Sequence, residues 1–196
     1  MINLNINASI IRAAMANQAT KDVRYYLTGI LITTTGDIVG TDGHTCFVGK
    51  HTWEDCDTLP RDVILSIKGA IPISASVVNI QLDDIEGSAT TKGIVRAGNK
   101  VLECIEIDGK YPDYKRVIPA RLSDEYSNFL CFDASLLARI EKTFGKRAQV
   151  GIYTRGTSSS IRIESSILDG ILVIMPMRID KDSEIASDAL PTYSKV

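Results

Sequence analysis

The chain has 196 residues, room for one large domain or one and a half, and 44% hydrophobic against 23% charged residues is the balance of a chain that folds around a core. A formal charge of −2 excludes a general basic coat for nucleic acid, though not a local basic face. Apolar runs such as Ile171–Met175 fall far short of a membrane span, and Met1-Ile2-Asn3-Leu4 lacks the basic stretch and apolar core of a secretion signal, so a cytoplasmic protein with no membrane partner is expected.

In chain order the pattern divides into three units. In the first, Ile2, Leu4 and Ile6 alternate with asparagines as a half-buried strand does. Asn7 is placed to cap a helix carrying Ile10, Ile11, Ala14 and Gln18, with Arg12 on its far side. Aromatic and branched residues from Arg24 to Thr34 predict a strand, Thr35-Gly36-Asp37 a hairpin turn, and Ile38 to Val48 a second strand.

The second unit, from about Arg61 to Ala120, predicts strands at Val63–Ile67 and Val77–Leu82. A hairpin of Ile94–Ala97, Gly98-Asn99 and Val101–Ile107 follows. Pro72 and the run Ile-Ser-Ala-Ser-Val-Val oppose any helix between the first two strands.

The third unit, from about Asn128 to Arg178, predicts a short strand at Phe129–Phe132. Asp133 then caps a helix with the apolar stripe Leu136, Leu137, Ile140 and Phe144, ended by Gly145, with Arg139, Lys142 and Lys146 on the opposite face. Strands at Val150–Thr154, Ser160–Glu164 and Ile171–Met177 complete it, and the polar tail Asp180–Val196 reads as flexible. Cys46, Cys56, Cys104 and Cys131 are irregularly spaced and read as buried free thiols of a reducing compartment.

Three stretches acquire meaning together: Val23-Arg24-Tyr25-Tyr26-Leu27-Thr28-Gly29-Ile30 with Thr41-Asp42-Gly43-His44, then Tyr111-Pro112-Asp113-Tyr114-Lys115-Arg116-Val117-Ile118-Pro119, then Val173-Ile174-Met175-Pro176-Met177-Arg178. In this order they resemble the beta subunit of bacterial DNA polymerase III, the sliding-clamp family, in a shortened form. Residues 1–120 resemble that clamp's middle domain and 121–179 the C-terminal half of its last domain, with 180–196 a further tail. The resemblance implies an α+β DNA-clamp fold: three half-domain units with outer antiparallel sheets and inner helices.

It also implies a ring of twelve half-domains, so four chains of three units would close one. The partners implied are double-stranded DNA, held without reading its sequence, and DNA polymerase or repair proteins that carry clamp-binding motifs. The family's peptide pocket maps onto Leu27, Thr41, Gly43, His44, Pro112, Arg116, Val117, Val173, Met175, Pro176, Met177 and Arg178. Leucine, valine, proline and methionine suit an adaptable apolar cavity, and His44 and Arg116 suit its polar rim. Thr45 and Cys46 stand where the family usually has arginine and leucine, which bears on ligand preference. Taken without the resemblance, Val117, Val173 and Met175 read as core strand residues rather than as a pocket, and His44 as part of a turn. Arg12, Lys21, Arg24, Arg139, Lys142, Lys146 and Arg147 are the candidates to face DNA, a charged solvated face being the other reading.

An enzyme is not expected. The chain has two histidines, no metal-ligand spacing, no phosphate-binding glycine loop and no nucleophile motif, so neither cofactor nor metal is implied. Two functions remain open: a processivity factor that encircles DNA, and a peptide-binding decoy or regulator of a host clamp that encircles nothing.

Overall fold

The computed structural model describes residues 1–52, 57–83, 90–119, 132–154 and 159–176. Unit one is β1 (Ile2–Asn7), α1 (Ala8–Asn17), β2 (Ile30–Ile32), β3 (Asp37–Thr41) and β4 (Thr45–Lys50). Unit two is β5 (Val63–Ile67), β6 (Val77–Leu82), β7 (Lys92–Ala97) and β8 (Lys100–Glu106). Unit three is α2 (Ala134–Phe144), β9 (Val150–Tyr153), β10 (Ile161–Ser165) and β11 (Leu168–Ile174).

All eleven strands join one antiparallel sheet in the order β1-β6-β7-β8-β5-β2-β3-β4-β11-β10-β9. Units one and two exchange strands reciprocally. β1, ahead of the first unit's helix, pairs with β6 of the second, and β5 of the second pairs with β2 of the first. Units one and three meet differently, their last strands side by side as β4 and β11, with Phe47 opposite Leu172 and Cys46 opposite Val173.

The two helices form where their caps and apolar spacing direct. The Asn7 side chain accepts from the Ser9 N–H at 2.8 Å, and Asp133 accepts from Ser135 at 2.8 Å. α2 stops at Gly145, whose φ of +94° is left-handed. Both helices lie on one face of the sheet, over β3, β4 and β11, and touch each other. α1 comes close because Gly40 of β3 has no side chain: a Cβ there would lie 1.9 Å from the Ala14 carbonyl oxygen. The main core lies beneath the helices and includes Leu4, Ile11, Ile30, Ile32, Phe47, Ile80, Leu82, Ile163 and Leu172. Strand alternation sends Leu31, Val39, Cys46, Val48, Ile64 and Val173 to the other face, where Tyr114 joins them in a smaller cluster.

Three expectations need correction. Tyr25–Thr28 is a 3-10 turn, not strand; Leu27 N–H bonds to Arg24 O, and the Thr28 hydroxyl bonds to Tyr25 O. The long strand from Ile38 to Val48 is instead the hairpin β3–β4, because Gly43 takes φ +89° and the Asp42 carboxylate accepts from the backbone N–H groups of both His44 and Thr45. Leu137 of the expected stripe is 42% exposed, whereas Leu136, Ile140 and Phe144 pack on the core. No helix lies between β5 and β6, as the sequence indicates. The expected strand at Phe129–Phe132 lies outside the described residues apart from Phe132, which is not in a strand. The tail 180–196 also lies outside them.

Candidate functional site

Parts of the three stretches meet around the seam of β4 and β11: Tyr26, Tyr114, Val117 and Val173 share the cluster on the face opposite the helices, while the Asp42–His44 turn lies at the strand ends and reaches Arg139 of α2. Val173 is fully buried in the smaller cluster, and Val117 packs against that cluster from the 3-10 turn Tyr114–Val117. Two phenols hold the 111–119 segment to unit one. The Tyr111 hydroxyl reaches the Val39 carbonyl at 3.4 Å, and the Tyr114 hydroxyl donates to Asp37 at 2.6 Å. On its other side the Ser160 hydroxyl donates to Val117 O at 3.0 Å, and Arg162 donates to Pro119 O at 3.0 Å. The segment thus bridges units one and three.

Asp37 binds both Tyr114 and the Lys50 ammonium, the latter at 2.8 Å. Burial pulls its carboxyl upward, but those two donors outweigh it and hold it below the ordinary carboxylate range. Cys46, facing Val173 across the seam, is a buried free thiol, which burial pushes up to about 12. Cys104 is likewise free and buried; Cys56 and Cys131 lie outside the described residues.

The turn carrying Gly43 and His44 is tied down on every side. One Asp42 oxygen accepts from His44 N–H at 2.9 Å, Thr45 N–H at 2.8 Å and the Thr45 hydroxyl at 3.1 Å; the other takes Arg139 of α2 at 2.8 Å. The Met175 N–H donates to His44 O at 2.9 Å, bringing the end of β11 against the turn. His44, Gly43, Pro112 and Arg116 are exposed, Met175 and Pro176 half-buried, and Leu27 and Thr41 buried. The geometry therefore unites Gly43, His44 and Met175 at one point and Val117 with Val173 at another. Met177 and Arg178 lie outside the described residues. The larger cavities open elsewhere, one of about 720 Å³ between the end of α1, α2 and β5, lined in part by Thr20, Ser66, Lys68, Arg139 and Lys142.

The candidate DNA-facing cations divide in two. Arg12 donates to Pro72 O at 2.8 Å, Ala75 O at 3.1 Å and the Ser9 hydroxyl at 2.8 Å, pinning the loop that stands where unit two lacks a helix. Arg24 pairs with Asp22 at 2.7 Å, and Arg139 bonds to the Ala16 carbonyl as well as to Asp42. Lys21, Lys142, Lys146 and Arg147 have no ion-pair partner among the described residues. Lys142 and Lys146 are exposed at the C-terminal end of α2. Sequence reasoning missed Asp42 as the hub between turn and helix, and the buried contact from the Asn17 amide to the Thr143 hydroxyl, at 2.8 Å, that links α1 to α2. Partners 97 and 126 residues away leave no local signal.

An antiparallel sheet with its helices on one face, in which units one and two exchange strands and units one and three meet last strand to last strand, is the fold of a DNA clamp. The DNA polymerase sliding clamp from Pseudomonas aeruginosa superposes with a TM-score of 0.61 at 22% identity, covering 91% of this chain and 67% of that one. The clamp from Caulobacter crescentus superposes with a TM-score of 0.63 at 17% identity, over 90% and 65%. In sequence, the beta sliding clamp of Escherichia coli K12 is 30% identical over 118 residues, 56% of this chain and 31% of that protein. The beta sliding clamp of Buchnera aphidicola is 29% identical over 137 residues, 68% and 36%. No family model matches. In sequence and in fold the chain is similar to DNA polymerase III beta sliding clamps, and its match spans about a third of the length of these curated relatives.

Proposed function

We propose that the protein is a non-enzymatic, sliding-clamp-like processivity factor of the cytoplasm that assembles a ring around duplex DNA and tethers polymerase or repair proteins by their clamp-binding peptides. The observation that carries this reading is the seam of β4 and β11: it continues one sheet from unit to unit while both helices stay on a single face. Repetition of such a joint gives a wall with one helical side. Lys21, Lys142, Lys146 and Arg147 are the cations we assign to phosphate contact, which is salt-sensitive and blind to sequence. Topology, rather than tight contact, would then keep the ring on DNA, and a tethered partner would act at raised local concentration.

The peptide site we assign to the outer side of the same seam, between His44, Val117, Val173, Met175 and Pro176. An extended peptide with a glutamine and large apolar side chains would draw most of its affinity from a few apolar anchors. Titration of such a peptide, followed by fluorescence anisotropy, should saturate, and the double substitution Met175→Ala, Pro176→Ala should abolish the binding; no binding by the parent protein would refute the site. Retention on closed circular duplex with loss from linear duplex should reveal encirclement. Peptide binding with no such retention would leave the decoy reading.

A further inference from the structure

The cavity of about 720 Å³ between the end of α1, α2 and β5 takes a wall from each of the three units. Thr20 comes from the segment after α1, Ser66 from β5 with Lys68 just beyond it, and Ser135, Arg139 and Lys142 from α2. The α2 residues recur four and then three positions apart, so one face of the helix presents them all. Cations and hydroxyls thus line one concavity, and no residue lining it is acidic. Its volume suits a small molecule.

Two of the cations are free to take a ligand. Lys68 Nζ meets the Ser66 hydroxyl at 3.3 Å, and neither Lys68 nor Lys142 has an ion-pair partner among the described residues. Arg139 is shared. It donates to the Ala16 carbonyl and, at 2.8 Å, to Asp42, whose other oxygen holds the N–H groups of His44 and Thr45. These bonds take only part of the five N–H donors of a guanidinium, and the side chain is 26% exposed, so donors remain for a ligand in the cavity. One residue therefore faces the cavity and also anchors the turn of the peptide site.

We propose that this cavity binds a phosphate-class anion between Lys68, Arg139 and Lys142, and that the bound anion shares Arg139 with Asp42 and so loosens the His44 turn. The guanidinium fork matches phosphate oxygens, the lysines add point charge, and the hydroxyls donate. An anion beside Arg139 competes with Asp42 for one positive charge, and the less firmly Asp42 is held, the less firmly it holds the turn. Anion and peptide then oppose each other, and the opposition is reciprocal. The anion site and its effect on the turn stand on the cavity and the Asp42 contacts; only the effect on peptide affinity rests on the peptide site proposed above.

Calorimetric titration of sodium tripolyphosphate into the full chain, at constant ionic strength, tests the site, and amide exchange at His44 and Thr45 tests the coupling without any peptide. Binding should saturate, and Lys68→Gln should weaken it about fivefold, the worth of a partly exposed charge. Lys110→Gln, at an exposed lysine outside the cavity lining, should leave it unchanged. Lys68 is exposed, so its variant should melt as the parent does and bind peptide equally well without the anion. At saturation the two amides should exchange about threefold faster and peptide affinity should fall about threefold, the worth of a partly exposed ion pair. No saturable binding, or equal losses in the two lysine variants, overturns the site. Binding with both amides unmoved overturns the coupling. Faster exchange in a protein that binds no peptide supports the proposal and refutes the peptide site alone. A linear duplex that displaces the tripolyphosphate assigns the phosphate to DNA, and one that leaves it bound assigns it to a free oligophosphate; either supports the site.

Discussion

Units one and three share a plan and differ in how completely it is closed. α1 is lined by Ile10, Ile11, Ala13 and Ala14, all buried, and lies against Gly40 so closely that backbone meets backbone. α2 carries larger apolar residues, keeps Leu137 exposed and ends at a Gly145 that has open space around it. Both helices rest on the sheet and against each other, but α1 is also met by the loop that Arg12 pins, whereas α2 keeps Leu137 exposed. Position in the sheet, not helix propensity, makes the difference: β3 and β4 are central strands with both faces covered, whereas β9 is an end strand. The lesson is that a repeated unit inherits its burial from its neighbours.

Substitutions on the two sides of this comparison should part sharply. Gly40→Ala should have the largest effect, about 3 kcal/mol lost in urea unfolding, because the clashing atom is helix backbone that cannot swing away. Gly145→Ala meets no atom and incurs only the left-handed backbone strain, about 1 kcal/mol. Equal losses at the two glycines would mean that α1 is not held as described.

Tyr114→Phe comes next, at about 2 kcal/mol, since it removes a hydrogen bond to a charged, buried carboxylate. The pH dependence follows from Asp37 and from Glu106, which burial raises but Arg61 and the Thr91 N–H pull down further, so both carboxyls lie below their unfolded values. Groups depressed in this way contribute fully above their unfolded pKa of about 4, and the contribution is lost as the pH falls through the folded values. Urea midpoints should thus drop below about pH 4, with a smaller drop for Asp37→Asn, Glu106→Gln, which is weaker than the parent at pH 7. An equally steep acid loss in that variant would assign the effect to other groups.

Smaller again, Arg139→Ala should cost about 1 kcal/mol, the ion pair being partly exposed. Its more telling readout is local: faster amide exchange at His44 and Thr45, whose N–H groups the same carboxylate binds. Asn7→Ala should cost about 1 kcal/mol, the worth of an ordinary helix cap, and should leave unit three unaffected.

Legibility followed the range of the interaction. Caps at Asn7 and Asp133, the stop at Gly145, the strand Val77–Leu82 and the Gly98-Asn99 hairpin each depend on residues a few positions apart, and all are present as read. The lack of a helix before β6 was written in Pro72 and a β-branched run. Aromatic and branched residues predict strand throughout Arg24–Thr34, but only Ile30–Ile32 is one, because Tyr25–Thr28 closes its hydrogen bonds locally. The candidate site was legible only as three separated stretches; that His44 O meets Met175 N–H, and that Val117 shares a cluster with Val173, follows from the register of β4 on β11.

Alternation, caps and turn residues alone determined most of the strands, both helices and most of the sites where the chain reverses. Tertiary structure decided which edges meet: β1 with β6, β5 with β2, β4 with β11, and β9 with no other strand on its outer side among the described residues. The physical reason is that every strand carries the same backbone donors and acceptors. Sequence sets which face of a strand is apolar, but only the packing of helices and neighbouring units selects the edge it joins.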